Sequence, residues 1–479
     1  MVAKYESPDR GSSLITSLPE LLGVDHQVWA FIEIVEALDL SVLYERRPAV
    51  GGKGRPGYDP VMMLTLLLFG LLDSKRSSRQ LEAACGQDLR YMAICGLRIR
   101  PDHATIARFR RSVDDIAGGV FVQVLTECDR RGMIDLDRLA LDGTKIEAAA
   151  SKESNHTAEY LQELADKVER MLDEAETADG DLNADTFDGD GPEGGDPQEG
   201  GDPGDPDGGW SPVRRRRETE RKLERVERTQ GAQHQAQQRR DADVKAKGRK
   251  RNSKATGNVV DPDSRLQPRN GGGWIQGYNA QAVVETNQII VAARVTPETT
   301  DVGMFQPMTG QVFDNLKAAG IDTQVGILIA DAGYWSAANY WFEQHIEANV
   351  LIATKKKHRI GDFDHIDWDP GTHKAQARVA MECRLLFNQE LYRQRAPLIE
   401  GTFAHSKCRR LFRRFQCRGL DAVNAEWTWQ AVVHNIDKIL RHQQTGTPRP
   451  TPPGSTRNHR HHHHPYHKQR YRPLNQRRH

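Results

Sequence analysis

The sequence predicts an α/β protein, with a mixed sheet that has helices on its faces and an all-α region before it. Two observations support this prediction. Up to about residue 130, apolar residues recur at helical spacing between capping residues and glycines. From residue 277 onward, a hairpin is followed by a helix, a strand, a helix, a strand and a helix, an order typical of a mixed sheet covered by helices.

The helical region contains one segment that is apolar nearly all round. Pro60 occupies a first-turn position and residues 61–72 are almost all apolar, so we expect a buried core helix there. Ser77 and Ser78 can cap the following helix, and Gly86 is expected to end it. Further helices are predicted at 79–85, 89–94 and 104–113.

The last of these helices contains three arginines that are candidate DNA contacts: Arg108, Arg110 and Arg111. Several short helices joined by tight turns favour a DNA-recognition module of the helix-turn-helix type. A plain helical bundle with a solvated basic face is the alternative, because exposed basic faces are common.

Charges are segregated along the chain, although the net charge is only +1. Residues 171–213 contain fourteen Asp or Glu and no Lys or Arg, and a basic stretch follows from Arg214. We expect 151–257 to be a charged insertion, partly helical and partly disordered, whose acidic and basic parts could instead shield one another until DNA binds. The predicted division is a helical DNA-binding domain at 1–130, an α/β domain at 131–150 and 258–445, the insertion at 151–257, and a disordered basic tail at 446–479.

The six cysteines include no pair at the spacing of a zinc or redox motif, which favours a reduced, cytoplasmic protein. The longest apolar run, 61–72, is shorter than the roughly 20 residues that a membrane span requires. We therefore expect no membrane association.

Three acidic residues lie at positions where α/β proteins commonly have their active sites. Asp142 and Asp331 each follow a strongly apolar strand, and Glu400 lies near the start of a helix expected from Pro397. Each has an ordinary explanation when taken alone: a turn at Asp142, a cap at Asp331 and a solvated first helical turn at Glu400. Their joint placement predicts a shared site.

Three converging carboxylates repel one another unless a cation is present. Hard oxygen ligands select Mg²⁺ or Mn²⁺. Two such ions activate a water or a 3′-hydroxyl and stabilise the leaving oxygen of an in-line displacement at phosphorus. The predicted chemistry is phosphodiester cleavage and joining, with Asp142, Asp331 and Glu400 as metal ligands.

A basic segment follows Glu400. Lys407 lies seven positions further on, which places it on the same face of a continuous helix and within reach of a phosphate. An Arg-rich helix fits a DNA backbone, although a solvated helix face is the alternative. The predicted DNA contacts in this segment are Lys407, Arg409, Arg410, Arg413 and Arg414.

Four stretches surround these residues: LALDGTKIEA at Asp142, GYNAQAVV at 277–284, ILIADAGY at Asp331, and IEGTFAHSKCRRLFRRFQCRG at Glu400. They resemble DDE transposases of bacterial insertion sequences. Two earlier stretches, GYDPVMMLTLLLFGLLDSKRSSRQLE and RPDHATIARFRR, resemble the helical DNA-binding region of that group. The resemblance covers most of 50–170 and 258–442, and the first 40 residues lie outside it.

The resemblance implies a ribonuclease-H-like catalytic domain that uses Mg²⁺ or Mn²⁺, with Asp142, Asp331, Glu400 and Lys407 as catalytic residues. It implies double-stranded DNA as the partner, both transposon ends and target. Cutting two ends together requires at least two protomers, so we expect a homodimer on DNA. The expected setting is the bacterial cytoplasm, with association to the nucleoid when DNA is bound.

The spacing before the last acid departs from the family pattern, which is Tyr, two residues, Arg, three residues, Glu, six residues and Lys. Tyr392 and Arg395 fit the first interval, and Glu400 and Lys407 fit the last. Four residues, however, separate Arg395 from Glu400. The roles of Tyr392 and Arg395 are therefore left open.

Two other functions stay open from the sequence alone. One is a metal-dependent nuclease on the same fold, which cuts DNA without rejoining it. The other is an inactive transposase-derived protein that only binds DNA ends; the presence of all three acids argues against it, and the altered spacing after Arg395 leaves room for it. Tyrosine or serine recombinase chemistry lacks an identifiable nucleophile in this sequence.

Overall fold

The structure is a computed structural model of the full chain. It describes residues 5–6, 17–46, 57–157, 256–269, 271–355 and 372–445, and scattered residues of helical stretches between 159 and 241. The acidic stretch 171–213 and the basic tail 446–479 lie outside the described residues, so the disorder predicted for them stays a prediction.

The N-terminal region is helical, as predicted. Its central helix is capped by Asp59, which accepts a hydrogen bond of 2.8 Å from the Met62 N–H, and it begins with Pro60. This helix is buried along most of its length, because it is apolar on nearly every side. The helices are α1 (Leu18–Leu22), α2 (Gln27–Glu36), α3 (Ser41–Glu45), α4 (Pro60–Leu72), α5 (Ser78–Gln87), α6 (Leu89–Cys95), α7 (His103–Arg111) and α8 (Ala117–Arg130).

The start of α5 follows the prediction and its end does not. Ser77 caps the helix and forms a capping box with Gln80. Gly86 does not end it: the helix continues to Gln87, and the N–H of Asp88 still bonds to a helical carbonyl. Asp88 then caps α6, since its side chain accepts the Arg90 N–H at 3.0 Å. The capping carboxylate, not the glycine, divides the two helices.

A mixed sheet forms the second half of the described structure, as the fold class predicts. The sheet strands are β3 (Arg138–Glu147), β6 (Arg265–Pro268), β7 (Trp274–Glu285), β8 (Ile290–Thr296), β9 (Ile327–Ala330) and β10 (Asn349–Ile352). Their order in the sheet is β10-β9-β3-β7-β6, and β8 also pairs with β7. Strands β3, β9 and β10 run parallel to one another, and β7 is antiparallel to β3, β6 and β8. Outside it lie β1 (Tyr5–Glu6), β2 (Gly57–Tyr58), β4 (Asn155–Thr157) and β5 (Thr256–Asn258).

Strand β3 is longer than predicted. The sequence places its end at Asp142, but the strand continues to Glu147. The reason is its second partner: β7 pairs with β3 from Leu139 to Glu147, beyond the point where β9 stops. Asp142 therefore lies in the middle of one ladder and just past the end of the other.

The helices around the sheet differ from the prediction in the C-terminal part. The helix between the two short parallel strands is brief, Ala337–Trp341, because a 3-10 turn, Phe342–His345, follows it directly. The helix predicted from Pro397 begins two residues earlier, and long helices before and after it were not predicted. The helices are α9 (Phe305–Ala318), α10 (Ala337–Trp341), α11 (His373–Phe387), α12 (Gln389–Arg393), α13 (Arg395–Ala404) and α14 (Leu420–Thr445).

The Arg-rich segment after Glu400 is not the continuous helix that the sequence predicts. Helix α13 ends at Ala404, a π-helical turn spans His405–Arg409, and the chain is irregular up to α14. The physical reason is burial: Phe412 and Phe415 are almost fully buried, and the backbone turns to place both rings in the core.

The helical region and the sheet share one hydrophobic core. Helix α14 packs against α2, α4 and α8 on one side and against β8 on the other. Trp427 of α14 is buried and donates its ring N–H to the Gln281 carbonyl of β7 at 2.8 Å. The predicted domain boundaries stay predictions. Within the described ranges, none of the helices is long and apolar enough to cross a membrane.

Candidate active site

Asp142 and Asp331 extend from neighbouring parallel strands at the same level. The β3–β9 ladder ends with the pair Leu141 and Ala330, and the two aspartates are the next residues. Asp331 accepts the Gly333 N–H at 2.8 Å, which fixes its side chain at the turn after β9. The sheet thus brings together two of the three predicted acids at one edge, where open sheets build their sites.

The electrostatics of this pair favour a cation. Burial raises the pKa of the Asp142 carboxyl, the Arg395 guanidinium opposes that shift, and the neighbouring charge of Asp331 adds to it. Burial also lowers the pKa of the Lys145 ammonium, which lies near both aspartates. Two adjacent carboxylates, one of them largely desolvated, are hard oxygen donors that fit a divalent cation.

Arg395 forms an ion pair with Asp142. Its Nη1 lies 2.9 Å from Oδ2 of Asp142, and the two side chains are only 13% and 19% exposed. Burial works against the charge on Arg395, but the Asp142 carboxylate outweighs it and raises the pKa of the guanidinium. Tyr392 lies beside them, and burial raises its pKa. Both residues that the sequence left open therefore belong to this site.

Glu400 is not joined to the two aspartates in this structure. It lies on α13, which packs against β3, but its residue is exposed. Across the described ranges, no three His, Cys, Asp or Glu side chains are close enough together to hold a metal ion. Asp142 and Asp331 thus fit part of a metal site. Glu400, the predicted third ligand, does not lie with them.

Lys407 lies against β3 rather than on the helix of Glu400. Its Nζ donates to the Thr144 hydroxyl and, at 2.9 Å, to the Lys145 carbonyl. Burial lowers the pKa of its ammonium, and the nearby charge of Arg269 adds to this effect. The sequence predicted Lys407 close to the acidic residues from a seven-residue helical spacing. In the structure the π-helical turn, and not the face of a continuous helix, positions this side chain.

Asp301 is a site residue that the sequence analysis missed. Its Oδ1 accepts hydrogen bonds from Asn279 at 2.6 Å and from Gln281 at 2.8 Å. It lies between the two aspartate turns: a Cβ at Gly143 would stand 2.8 Å from its Oδ1, and a Cβ at Gly333 would stand 3.1 Å from its Oδ2. The sequence contains a signal for such a residue. Asn279 and Gln281 are polar residues on one face of an otherwise apolar strand, and their buried amides require a hydrogen-bond acceptor.

The predicted DNA contacts divide into exposed and buried residues. Arg410 is 1% exposed and forms an ion pair of 3.0 Å with Asp437, so its predicted DNA contact was wrong. Arg110 is half-buried and donates to Gln416 at 2.9 Å, which ties α7 to the segment after Lys407. The exposed members are Arg108, Arg111, Arg409, Arg413 and Arg414.

Comparison with protein families finds two matches. A transposase domain (DUF772) matches residues 19–112, and a transposase DDE domain matches residues 354–440. The second match includes Glu400 and Lys407, and the first extends into the first 40 residues, which the sequence resemblance had left out. None of the curated proteins and none of the solved structures compared matches the chain.

The mixed sheet, its flanking helices and the paired aspartates define a protein of the ribonuclease-H-like class. The two domain matches show that residues 19–112 and 354–440 are similar to transposase domains, which supports an insertion-sequence DDE transposase. The match to a DDE domain supports an enzyme of the kind that cleaves and transfers DNA, and the family of that domain acts on DNA and uses divalent metal ions.

Proposed function

We propose that the protein binds the terminal inverted repeats of its insertion sequence, cleaves the DNA there and joins the freed 3′ ends to target DNA. The observation that supports this most directly is the placement of Asp142 and Asp331 at the end of the β3–β9 ladder. The proposed divalent ion is Mg²⁺, with Mn²⁺ as a substitute.

In this proposal Asp142, Asp331 and Glu400 hold two metal ions. The bound ions supply activation of the attacking oxygen and stabilisation of the leaving oxygen at phosphorus. Lys407 donates to the DNA phosphate next to the site, since its ammonium already lies beside β3 at the Lys145 carbonyl. Arg395 neutralises Asp142 until the site is loaded.

Glu400 reaches the aspartates by a movement of α13. The same helix begins with Arg395, which is paired with Asp142. Displacement of Arg395 from Asp142 and approach of Glu400 are therefore movements of one short helix. Residues 354–440, which match the DDE domain, include both groups.

The DNA surface in this proposal combines the helical region with the segment after Lys407. Arg76 of the helical region pairs with Glu426 at 2.6 Å, and Arg110 bonds to Gln416, so the two parts are held together. The N-terminal helices, within a domain at 1–130, recognise the repeats through residues such as Arg108 and Arg111. The exposed arginines near Lys407 contact the backbone, in a homodimer that holds two ends.

The experiment that tests this function follows a labelled duplex with the element's ends in Mg²⁺. The wild type is expected to cut at the ends, Glu400→Gln is expected to bind without cutting, and Glu390→Gln serves as the matched control. Glu390 is an exposed acid on the neighbouring helix α12, paired with Arg393. Cutting by Glu400→Gln at the wild-type rate contradicts the assigned site.

A strand-transfer assay with pre-cut element ends distinguishes a transposase from a nuclease and from an inactive DNA-binding protein. A transposase joins these ends to a target plasmid in Mg²⁺, whereas a nuclease of the same fold does not. Protection of the ends from footprinting reagents with neither cutting nor joining would show an inactive DNA-binding protein.

A further inference from the structure

Leu411 combines two unfavourable features. It is a large apolar side chain that is 57% exposed. Its backbone has φ 53°, in the left-handed region where residues other than glycine, Asn and Asp are rare. A leucine at this position gains neither burial nor a relaxed backbone, and strained backbone of this kind clusters at binding sites.

The turn that holds Leu411 is fixed on both sides. Before it, the Arg410 N–H bonds to the His405 carbonyl at 3.1 Å, and the Arg410 side chain is buried against Asp437. After it, Phe412 is fully buried, and its N–H bonds to the Ser406 carbonyl at 3.0 Å. Both neighbours point inward, so the leucine projects outward from a rigid support.

The surroundings of Leu411 are cationic. Arg409 and Arg413 stand on either side of it along the chain, and both are exposed. Lys407 lies at the preceding π-helical turn, and the Arg413 Nε donates to its carbonyl at 3.2 Å. A polyanion fits this surface better than the apolar face of another protein, because an apolar partner would desolvate the arginines without pairing them.

The turn is also anchored to the strand of the candidate active site. The Glu147 N–H bonds to the Arg413 carbonyl at 3.1 Å, and the Phe415 N–H bonds to the Glu147 carbonyl at 2.8 Å. Glu147 stands five residues after Asp142 on β3, a separation of about 17 Å at the rise of a strand. The turn therefore lies near the candidate active site, on the scale of a few base steps of DNA.

We propose that Leu411 is an apolar wedge that inserts between stacked bases of bound double-stranded DNA, a few base pairs from the phosphodiester that is cut. The flanking arginines hold the two phosphate backbones while the leucine separates one base step. This inference rests on the proposed function, since it places the wedge on the DNA that the acidic site cleaves.

The test uses duplexes with the element's ends and 2-aminopurine at successive positions near the cut. Its fluorescence rises where a base loses its stacking partner. We expect the wild-type protein to raise the fluorescence several-fold at one position. Leu411→Gly is expected to abolish the rise and to weaken binding roughly tenfold, as the loss of one buried leucine side chain predicts. Leu411→Met, which keeps a long apolar side chain, is expected to restore the signal.

The same substitution does not threaten the fold, so a lost signal cannot be due to unfolding. Glycine adopts a positive φ without strain, so Leu411→Gly is expected to unfold at the wild-type temperature or above it. Val24→Ala removes another exposed apolar side chain, 73% exposed and far from the basic segment in sequence, and is expected to leave the fluorescence unchanged.

The following results would overturn the wedge. The first is an equal fluorescence rise with wild type and Leu411→Gly. The second is a DNA-free dimer that Leu411→Gly dissociates, which would show that the leucine packs against a second copy. The third is absence of DNA binding by the wild type, which also removes the proposed function. Mg²⁺-dependent cutting without unstacking contradicts the wedge alone, whereas unstacking without cutting contradicts only the proposed chemistry.

Discussion

The guanidinium of Arg395 lies 2.9 Å from a carboxylate oxygen of Asp142, and this ion pair neutralises the first of the candidate metal ligands. Arg395 is the first residue of α13, the helix that also contains Glu400. The pair therefore couples the charge of the site to the position of its third acid. A cation that binds Oδ2 of Asp142 must displace the guanidinium.

Removal of this guanidinium should strengthen metal binding by the free protein. For Arg395→Gln we expect roughly tenfold tighter binding of Mn²⁺, because the cation no longer competes with an ion pair for Asp142. Mn²⁺ electron paramagnetic resonance measures it directly. Arg393→Gln, an exposed arginine of α12 paired with Glu390, is the matched control. Weaker binding by Arg395→Gln than by the wild type would show that Arg395 supports the metal site instead of competing with it.

Asp301 should act by positioning rather than by contact with DNA. Asp301→Ala leaves the buried Asn279 and Gln281 amides without their acceptor, at a cost of about 1–3 kcal/mol in stability. A small displacement of the aspartate turns should lower kcat by about 100-fold with little change in KM.

Asp301→Asn is the conservative variant in this test. Its side-chain oxygen can still accept hydrogen bonds from the amides of Asn279 and Gln281, so most of kcat and of the stability should return. Glu298→Ala removes an exposed acid that pairs with Arg265 and should change neither. Equal losses in the alanine and asparagine variants would assign the effect of Asp301 to its charge.

The ion pair between Arg76 and Glu426 should make a large contribution to stability. Both side chains are 10% exposed, and Arg76 also donates to the Arg414 carbonyl at 2.7 Å. Arg76→Met leaves a buried carboxylate without its cation, so the free energy of unfolding should fall by about 3 kcal/mol. Urea denaturation measures this.

The matched control is a pair of similar length at the surface. Arg46 and Asp115 are 2.6 Å apart with side chains 37% and 66% exposed, and Arg46→Met should cost no more than about 1 kcal/mol. Similar losses in the two variants would mean that the buried pair is not what holds the helical region to the segment after Lys407.

Stability should fall in mild acid because of His405. Burial lowers the pKa of this imidazole to about 4, and the cationic Arg410 adds to the shift. Arg441 donates to its Nε2 at 3.0 Å, which requires that nitrogen to be unprotonated. The charged or titratable groups around it are Arg409, Arg410, His434, Asp437 and Arg441.

The sign of the effect follows from the direction of this shift. Between pH 6.5 and about 4 the unfolded chain binds a proton at His405 and the native protein does not. The stabilisation is therefore present above pH 6.5 and is lost as the pH falls towards 4, by on the order of 3 kcal/mol. Thermal unfolding of wild type and His405→Gln across this range measures it, with His345→Gln as the exposed control. Parallel curves for wild type and His405→Gln would contradict the assignment.

The sequence predicted those elements that local chemistry specifies. Helix α4 follows from Asp59, Pro60 and an apolar run, and the β7–β8 hairpin follows from alternation around a polar turn. Asp142 and Asp331 were predicted to share a site because each follows a strongly apolar strand. The register of β3 against β9 places the two aspartates side by side.

The features that could not be predicted from the sequence depend on contacts between residues far apart in the chain. Asp301 acquires its role from two amides on β7, about twenty residues earlier. Arg410 was predicted on a DNA face because its neighbours are arginines, but Asp437 on α14 holds it in the core. The left-handed turn at Leu411 likewise follows from the burial of Arg410 and Phe412 on either side, which no local pattern specifies.

The most direct test of the central claim is nicking of a supercoiled plasmid that contains the element's ends, in Mg²⁺ and in EDTA. Asp142→Asn is compared with Asp137→Asn, which changes an exposed acid near the opposite end of the β3–β9 ladder. The account predicts Mg²⁺-dependent nicks at the ends with wild type and Asp137→Asn, and none with Asp142→Asn or in EDTA. Nicking by Asp142→Asn at the wild-type rate would contradict it.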